Sequence, residues 1–214
     1  DAITYFQGIN NTNIFPIRID STKTHGDSTD YYSFCMIRLI PNSLYYTTKG
    51  SSWIGKKMVD CGNGVNLFFN NEDDTVFIKT NASLFENWKM FSYQNGNYIE
   101  ATISAFTLES FLGLSDSVKT ISLQLKDSNN NNITDTLNSY QLKLSKNYGF
   151  ITIADFYYFP FNIIFSNYYY NSDNLLTMAG ISNPQMGWQN ITLSDVYTMQ
   201  QGDEIHYYKD YGVF

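Results

Sequence analysis

Trp88-Lys89-Met90-Phe91-Ser92-Tyr93-Gln94-Asn95-Gly96-Asn97-Tyr98-Ile99-Glu100-Ala101-Thr102-Ile103-Ser104-Ala105-Phe106 is the stretch whose reading decides the fold. In its second half Ile99, Ala101, Ile103 and Ala105 share one face, and Glu100, Thr102 and Ser104 share the other, as a pleated strand requires. Asn95-Gly96 accepts the positive φ of a tight turn. Residues 88–93 and 98–106 are therefore predicted to pair as a hairpin.

The same punctuation recurs outward from this hairpin. Downstream, Ile121, Leu123 and Leu125 alternate with polar residues over 118–126. The loop 127–132 leads to a return strand ending at Leu142 and Leu144, and 146–149 turn the chain into a strand over 150–158. Upstream, strands are predicted at 14–20, 31–40, 44–48, 53–60, 65–69 and 75–80. Residues 107–112 are expected to form a short turn of helix. Consecutive strands joined by short turns predict an all-β fold, an antiparallel meander forming a strongly curved sheet or half-barrel, with a two-layer β-sandwich as the alternative. Residues 1–183 are expected to be this module. Residues 184–214 lose the alternation at first, regaining it in short pieces at 191–197 and 204–208, and are expected to be a connecting segment and the start of a following region. The ending Tyr211-Gly212-Val213-Phe214 carries no stop signal. A longer polypeptide is expected, its tail ordered only when docked on the module or on a partner chain.

Composition narrows the function classes. The 214 residues carry 13 Lys+Arg against 20 Asp+Glu, a formal net charge of −7, with 15% charged and 17% aromatic residues. Charged residues make up roughly 25% of an average globular protein. No basic cluster exceeds the pair Lys56-Lys57, so nucleic acid is not an expected partner, since phosphate binding needs a basic stripe. The apolar stretch 155–170 is broken by Pro160, Asn162, Ser166 and Asn167, short of the roughly 20 apolar residues of a spanning helix.

Candidate chemistry is incomplete wherever it begins. Residues 50–57 fit the phosphate-binding pattern G-x-x-x-x-G-K, but Lys57 stands where a metal-binding Ser/Thr should follow Lys56, and 58–62 read as a strand running into a turn. Asp127, Asn129, Asn131 and Asp135 imitate the first half of a calcium loop. Asn132 replaces its Gly and Asn138 its bidentate Glu, so the reading stays that of a weak calcium candidate. His25 and His206 have no partner at zinc-ligand spacing, and no G-x-S-x-G elbow is present. No metal, cofactor or catalytic residue is expected. The aromatic block around Tyr157, Tyr158, Tyr168, Tyr169 and Tyr170, with Tyr207 and Tyr208 in the tail, is expected to fill the core and leave a surplus for contacts.

Several phrases resemble the amino-terminal modules of large secreted proteins of Bacteroidota that leave the cell by the type IX secretion system. They are Ser52-Trp53-Ile54-Gly55-Lys56-Lys57, the run from Phe111 through Ile121, Asn147-Tyr148-Gly149-Phe150, Ala179-Gly180-Ile181-Ser182-Asn183-Pro184 and Gly202-Asp203-Glu204-Ile205-His206. The resemblance implies export and a secreted or cell-surface location, and brings no catalytic residues. A second resemblance concerns O-glycosylation of exported Bacteroidota proteins at Asp-Ser/Thr, matched at Ser21, Ser28, Thr75, Ser117 and Thr136. In an exported protein an even cysteine count favours a bond between Cys35 and Cys61, worth about 3–4 kcal/mol in the chain-entropy estimate.

Three function classes follow. The leading one is a non-catalytic structural or adhesive module of an exported surface protein, acting through contacts with other protein chains or downstream domains. The second is a glycan-binding module using exposed aromatics. The third, a carboxylate-based glycoside hydrolase, has no pair of acids singled out by the sequence.

Overall fold

The computed structural model describes residues 4–8, 14–33, 37–38, 46–47, 54–160 and 175–189. These residues are all-β. The strands are β1 (Thr4–Gly8), β2 (Ile14–Ile17), β3 (Ile19–His25), β4 (Ser28–Ser33), β5 (Ile37–Arg38), β6 (Tyr46–Thr47), β7 (Lys57–Asp60), β8 (Val65–Phe69), β9 (Thr75–Lys79), β10 (Asn87–Ser92), β11 (Tyr98–Phe111), β12 (Leu114–Lys126), β13 (Gln141–Ser145), β14 (Gly149–Ala154), β15 (Leu175–Ser182) and β16 (Gln185–Gly187). A large sheet runs β10-β11-β12-β13-β14-β15-β1-β2 with β16 attached to β15, a smaller one runs β3-β4-β7-β8-β9, and β5 pairs with β6. The stretch β10 to β15 is the expected meander, and among the described residues the sheets do not close into a barrel. No described helix is long and apolar enough to cross a membrane.

The hairpin read from Asn95-Gly96 is present. Tyr93 N–H donates to the Asn97 carbonyl at 2.8 Å, Gly96 N–H to that of Tyr93 at 3.1 Å, and Gly96 sits at φ +87. Two irregularities bend its strands. A register shift between Lys89 and Phe91 lets Met90 and Phe91, neighbours in sequence, both enter the core, and another between Ile103 and Ala105 leaves Ser104 as the extra residue. Bulges of this kind raise local twist and curve a sheet.

The structure corrects several expectations. Residues 107–112 form no helix: β11 continues to Phe111, opposite Leu114. Leu112 and Gly113, at φ +51 and +80, make the two-residue turn whose positive φ angles match the twist of paired strands. The strand expected over 14–20 is two strands, because the chain passes at Arg18 from the large sheet into the small one. The strand expected over 31–40 ends at Ser33, and Ile37–Arg38 belongs to another sheet. The strand expected over 150–158 ends at Ala154, where the Asp155 carboxylate accepts the Tyr157 N–H at 3.0 Å and opens a turn. Strands β1 and β15 carry no clean alternation and were not anticipated.

One core serves both sheets. Phe68 of β8 meets the tilted ring of Phe156 at 4.7 Å and Phe150 of β14 edge to face at 6.5 Å, and Phe156 also meets Phe159 at 5.9 Å. Asn70, fully buried, satisfies itself on the same segment by donating to the Phe159 carbonyl at 2.9 Å. At the opposite edge the Trp88 indole donates to the Phe77 carbonyl at 2.8 Å, tying β10 to β9. The tail begins docked: β16 pairs with β15 through Ile181 and Met186, and the Gln189 amide donates to the Ile181 and Met186 carbonyls at 2.8 Å each.

Candidate functional site

The β11–β12 hairpin outruns both of its neighbours. On one side β10 pairs no further than Asn87 opposite Thr102, extended by Phe85 N–H to Ile103 carbonyl at 2.8 Å and Ile103 N–H to Glu86 carbonyl at 3.1 Å. On the other, β13 ends with Ser145 opposite Val118, followed by Lys146 N–H to Ser117 carbonyl at 2.9 Å. Residues 106–117 therefore form a two-stranded arm. Among the described residues its β11 half is paired with β12 alone, so one backbone edge is open. The tip rests on β16, where Leu112 packs so closely that a Cβ on Gly187 would lie 2.7 Å from its Cδ2.

The arm is apolar where it is most exposed. Six large hydrophobic side chains are exposed among the described residues, and four of them, Leu84, Phe85, Phe106 and Leu108, lie on the arm or on the segment bonded to its base. Leu108 is 78% exposed and Phe85 71%. Exposed apolar residues concentrated in one place mark contact surfaces, whereas single ones need no account. Glu109, the one acid on the β11 half of the arm, is bound by Lys143 at 2.7 Å, which holds its carboxyl below the usual range. The edge thus offers no free charge of the kind that blunts strand pairing.

Two polar clusters fix the base of the arm. The Lys119 ammonium donates to the Thr80 and Ala82 carbonyls at 2.7 and 2.8 Å and lies 5.3 Å from the centre of the Phe106 ring. Burial lowers its pKa, opposed by the charge of Glu86. The buried Asp116 carboxylate accepts from the Ser145 hydroxyl, from Asn147 N–H and side-chain amide at 2.8 and 3.0 Å, and from Ser117 N–H at 2.8 Å. These bonds, the Ser145 one first, hold its pKa below the ordinary value. A depressed folded-state pKa stabilises above the unfolded value and is lost as pH falls through the folded one. Replacing Asp116 by Asn is expected to lower the melting temperature at pH 7 and to flatten its fall under acid conditions. Parallel curves for variant and parent between pH 2 and 6 would refute this.

Beside Lys119 the two sheets part to leave a cleft. Its polar compartment, about 530 Å³, is lined among others by Phe106, Ser117, Lys119, Lys146 and Asn147. An apolar compartment of about 270 Å³ adjoins it through shared walls at Thr80, Leu144 and Gly149, and is lined by residues such as Phe6, Ile54, Met58, Phe68 and Phe150.

The residues singled out by sequence are scattered over the molecule. Ser21, Thr75, Ser117 and Thr136 are exposed and Ser28 half-buried, on five different elements or turns. Asp127 spends its carboxylate on its own loop, accepting from Asn129 and Asn131 N–H at 2.8 Å each and from the Asn131 amide at 2.9 Å. Asp135 accepts the Leu137 N–H at 2.8 Å to start a short 3-10 turn. No group of three or more His, Cys, Asp or Glu suited to a metal occurs among the described residues. Residues 58–62 follow the strand-and-turn reading, but the strand expected over 53–60 starts only at Lys57 and runs to Asp60. Tyr157 and Tyr158 are half-buried and meet edge to face at 4.9 Å, whereas Tyr168, Tyr169, Tyr170, Tyr207, Tyr208, Trp53 and His206 lie outside the described residues. So does Cys35; Cys61 carries a free, half-buried thiol.

The carboxylates described above are engaged with cations or backbone donors, as are Asp30 with Lys57 at 2.9 Å and Glu100 with Lys126 at 3.1 Å. Asp155 differs: burial pushes its carboxyl up to about 7 against the pull of the Tyr157 and Tyr158 N–H groups. Phe85, Leu108 and Lys119 escaped the sequence reading. The available signal was the unbroken run from Tyr98 to Leu112 without a Gly, Pro or Asn. Comparison with protein-family models, with curated proteins and with solved structures finds no match to this chain.

Proposed function

We propose that this chain is a non-catalytic extracellular β module of an exported surface protein, and that it works by protein–protein contact through the open edge of the β11 arm. The observation that carries the reading is the coincidence of an unpaired strand edge with Phe85, Phe106 and Leu108 exposed beside it. Backbone donors and acceptors on such an edge supply affinity to an added strand, and the flanking side chains supply selectivity. The export half of the proposal rests on the phrases that resemble type IX cargo, with four of the five Asp-Ser/Thr sites exposed.

The first partner for this edge is a second copy of the chain. An antiparallel two-fold pair centred on Leu108 sets Thr107 against Glu109 and Phe106 against Ser110, with no like charges opposed, and a two-fold contact closes on itself. Sedimentation velocity over a hundredfold range of concentration is expected to show a monomer–dimer equilibrium. Leu108→Lys, which places a charge on the edge, and Ser110→Pro, which removes a backbone donor that faces the open edge, are expected to shift it at least tenfold toward monomer. A parent chain that stays monomeric throughout, or variants that associate as the parent does, would defeat the proposal. The glycan reading draws support from Phe106, an exposed ring at the polar cleft.

A further inference from the structure

The cleft at the base of the arm has a charge opposite to that of the molecule. The chain has a formal net charge of −7, yet the polar compartment is lined by Lys119 and Lys146 and by no Asp or Glu. The nearby acids are already satisfied: Asp116 by the donors of Ser117, Ser145 and Asn147, and Glu86 by Lys79 at 3.0 Å and Ser83 N–H at 2.9 Å. An ammonium has three donors, and Lys119 gives two to backbone carbonyls of neutral charge. Its cation has no anion in contact among the described residues. Lys146 uses its backbone N–H on Ser117, and its exposed ammonium has no partner among the described residues.

The adjoining compartment has the opposite character. Ile17, Ile54, Met58, Phe68 and Phe150 wall it from both sheets, with Thr4, Asn66, Thr80 and Tyr148 as the members that carry polar groups. Together the compartments, about 530 and 270 Å³, reach the range of small-molecule sites, about 300–1,000 Å³. A purely polar ligand would leave the apolar walls unused, and a purely apolar one would leave two ammonium groups with no anion in contact.

We propose that this cleft binds an amphipathic anion, an acidic head on an apolar tail, with the head between Lys119 and Lys146 and the tail between the sheets against Met58, Phe68 and Phe150. Burial of the tail's methylenes supplies affinity, and the charge-assisted bonds to the head fix direction. An anion beside Lys119 also restores the protonated form that burial disfavours. The proposal is independent of the arm edge and stands if that edge proves idle.

Calorimetric titration of the full chain with decanoate below its aggregation threshold tests it. One saturable site is expected, with decanol and acetate at least tenfold weaker, since each lacks one half of the ligand. Lys146→Glu, an exposed change, is expected to weaken decanoate at least fivefold, and Lys119→Met at least tenfold. Should Lys119→Met fail to fold, Lys146→Glu decides. Absence of decanoate binding, decanol binding as tightly, an unaffected Lys146→Glu, or glucuronate binding as tightly as decanoate would each overturn the assignment, the last in favour of an acidic sugar.

Discussion

Phe156→Ala is expected to destabilise the chain by about 3–5 kcal/mol, the range for truncating a buried aromatic, lowering the melting temperature by roughly 10 °C for a chain of this length. Phe156 is fully buried and touches three rings, Phe68, Phe150 and Phe159, that come from both sheets and from the turn after β14. Its loss leaves a cavity at the joint between layers, where relaxation would need the sheets to approach each other. Phe156→Leu, which keeps most of the volume, should recover more than half of the loss. Thermal denaturation followed by near-ultraviolet circular dichroism reads both. A change below about 1 kcal/mol for the alanine variant would mean that the two sheets do not share a core.

Gly180→Ala is the second large effect. A Cβ at Gly180 would overlap the carbonyl oxygen of Trp188 and stand 2.8 Å from its carbonyl carbon and nitrogen. Those are backbone atoms and cannot swing aside as a side chain would. Overpacking typically costs 1–3 kcal/mol, and here the cheapest escape is to release β16 from β15. The loss is then expected near the upper end, about 3 kcal/mol, with Met186 and Gly187 losing amide protection first. Because Leu112 leans on Gly187, the tip of the arm should loosen with them. Unchanged melting together with intact protection of β16 would show that the tail is not anchored there.

Local turn chemistry makes much of the fold legible in the sequence. Asn95-Gly96 announced β10 and β11, and residues 65–69 were bounded correctly, because strands with one face on a core alternate in period two. Legibility failed where tertiary structure breaks that period. The bulge at Ser104 shifts the register between Ile103 and Ala105, so the run looked finished at Phe106 when the strand had only changed register. Strand β15 reads Leu-Leu-Thr-Met-Ala-Gly-Ile-Ser, a pattern set by neighbours on both edges and by the close approach of β16 over Ala179 and Gly180. The candidate site was less legible still. Phe85 and Leu108 look like core residues in sequence, and what exposes them is where β10 and β13 stop. Lys119 sits in an alternating strand like any polar residue, and only the fold brings the Thr80 and Ala82 carbonyls to it.

The central claim is that the open β11 edge is an interface, and amide hydrogen exchange resolved over residues 105–111 tests it most directly. Measured at low micromolar and at near-millimolar chain concentration, the edge-facing amides of Phe106, Leu108 and Ser110 are expected to gain protection at the higher concentration, while those of Thr107, Glu109 and Phe111, already paired with β12, stay as they are. The hairpin amides of residues 98–103, already covered by β10, should not change. Leu108→Lys should abolish the gain while leaving residues 98–103 as they are. Exchange at Phe106, Leu108 and Ser110 that is equally slow at both concentrations, or equally fast at both, would contradict the claim.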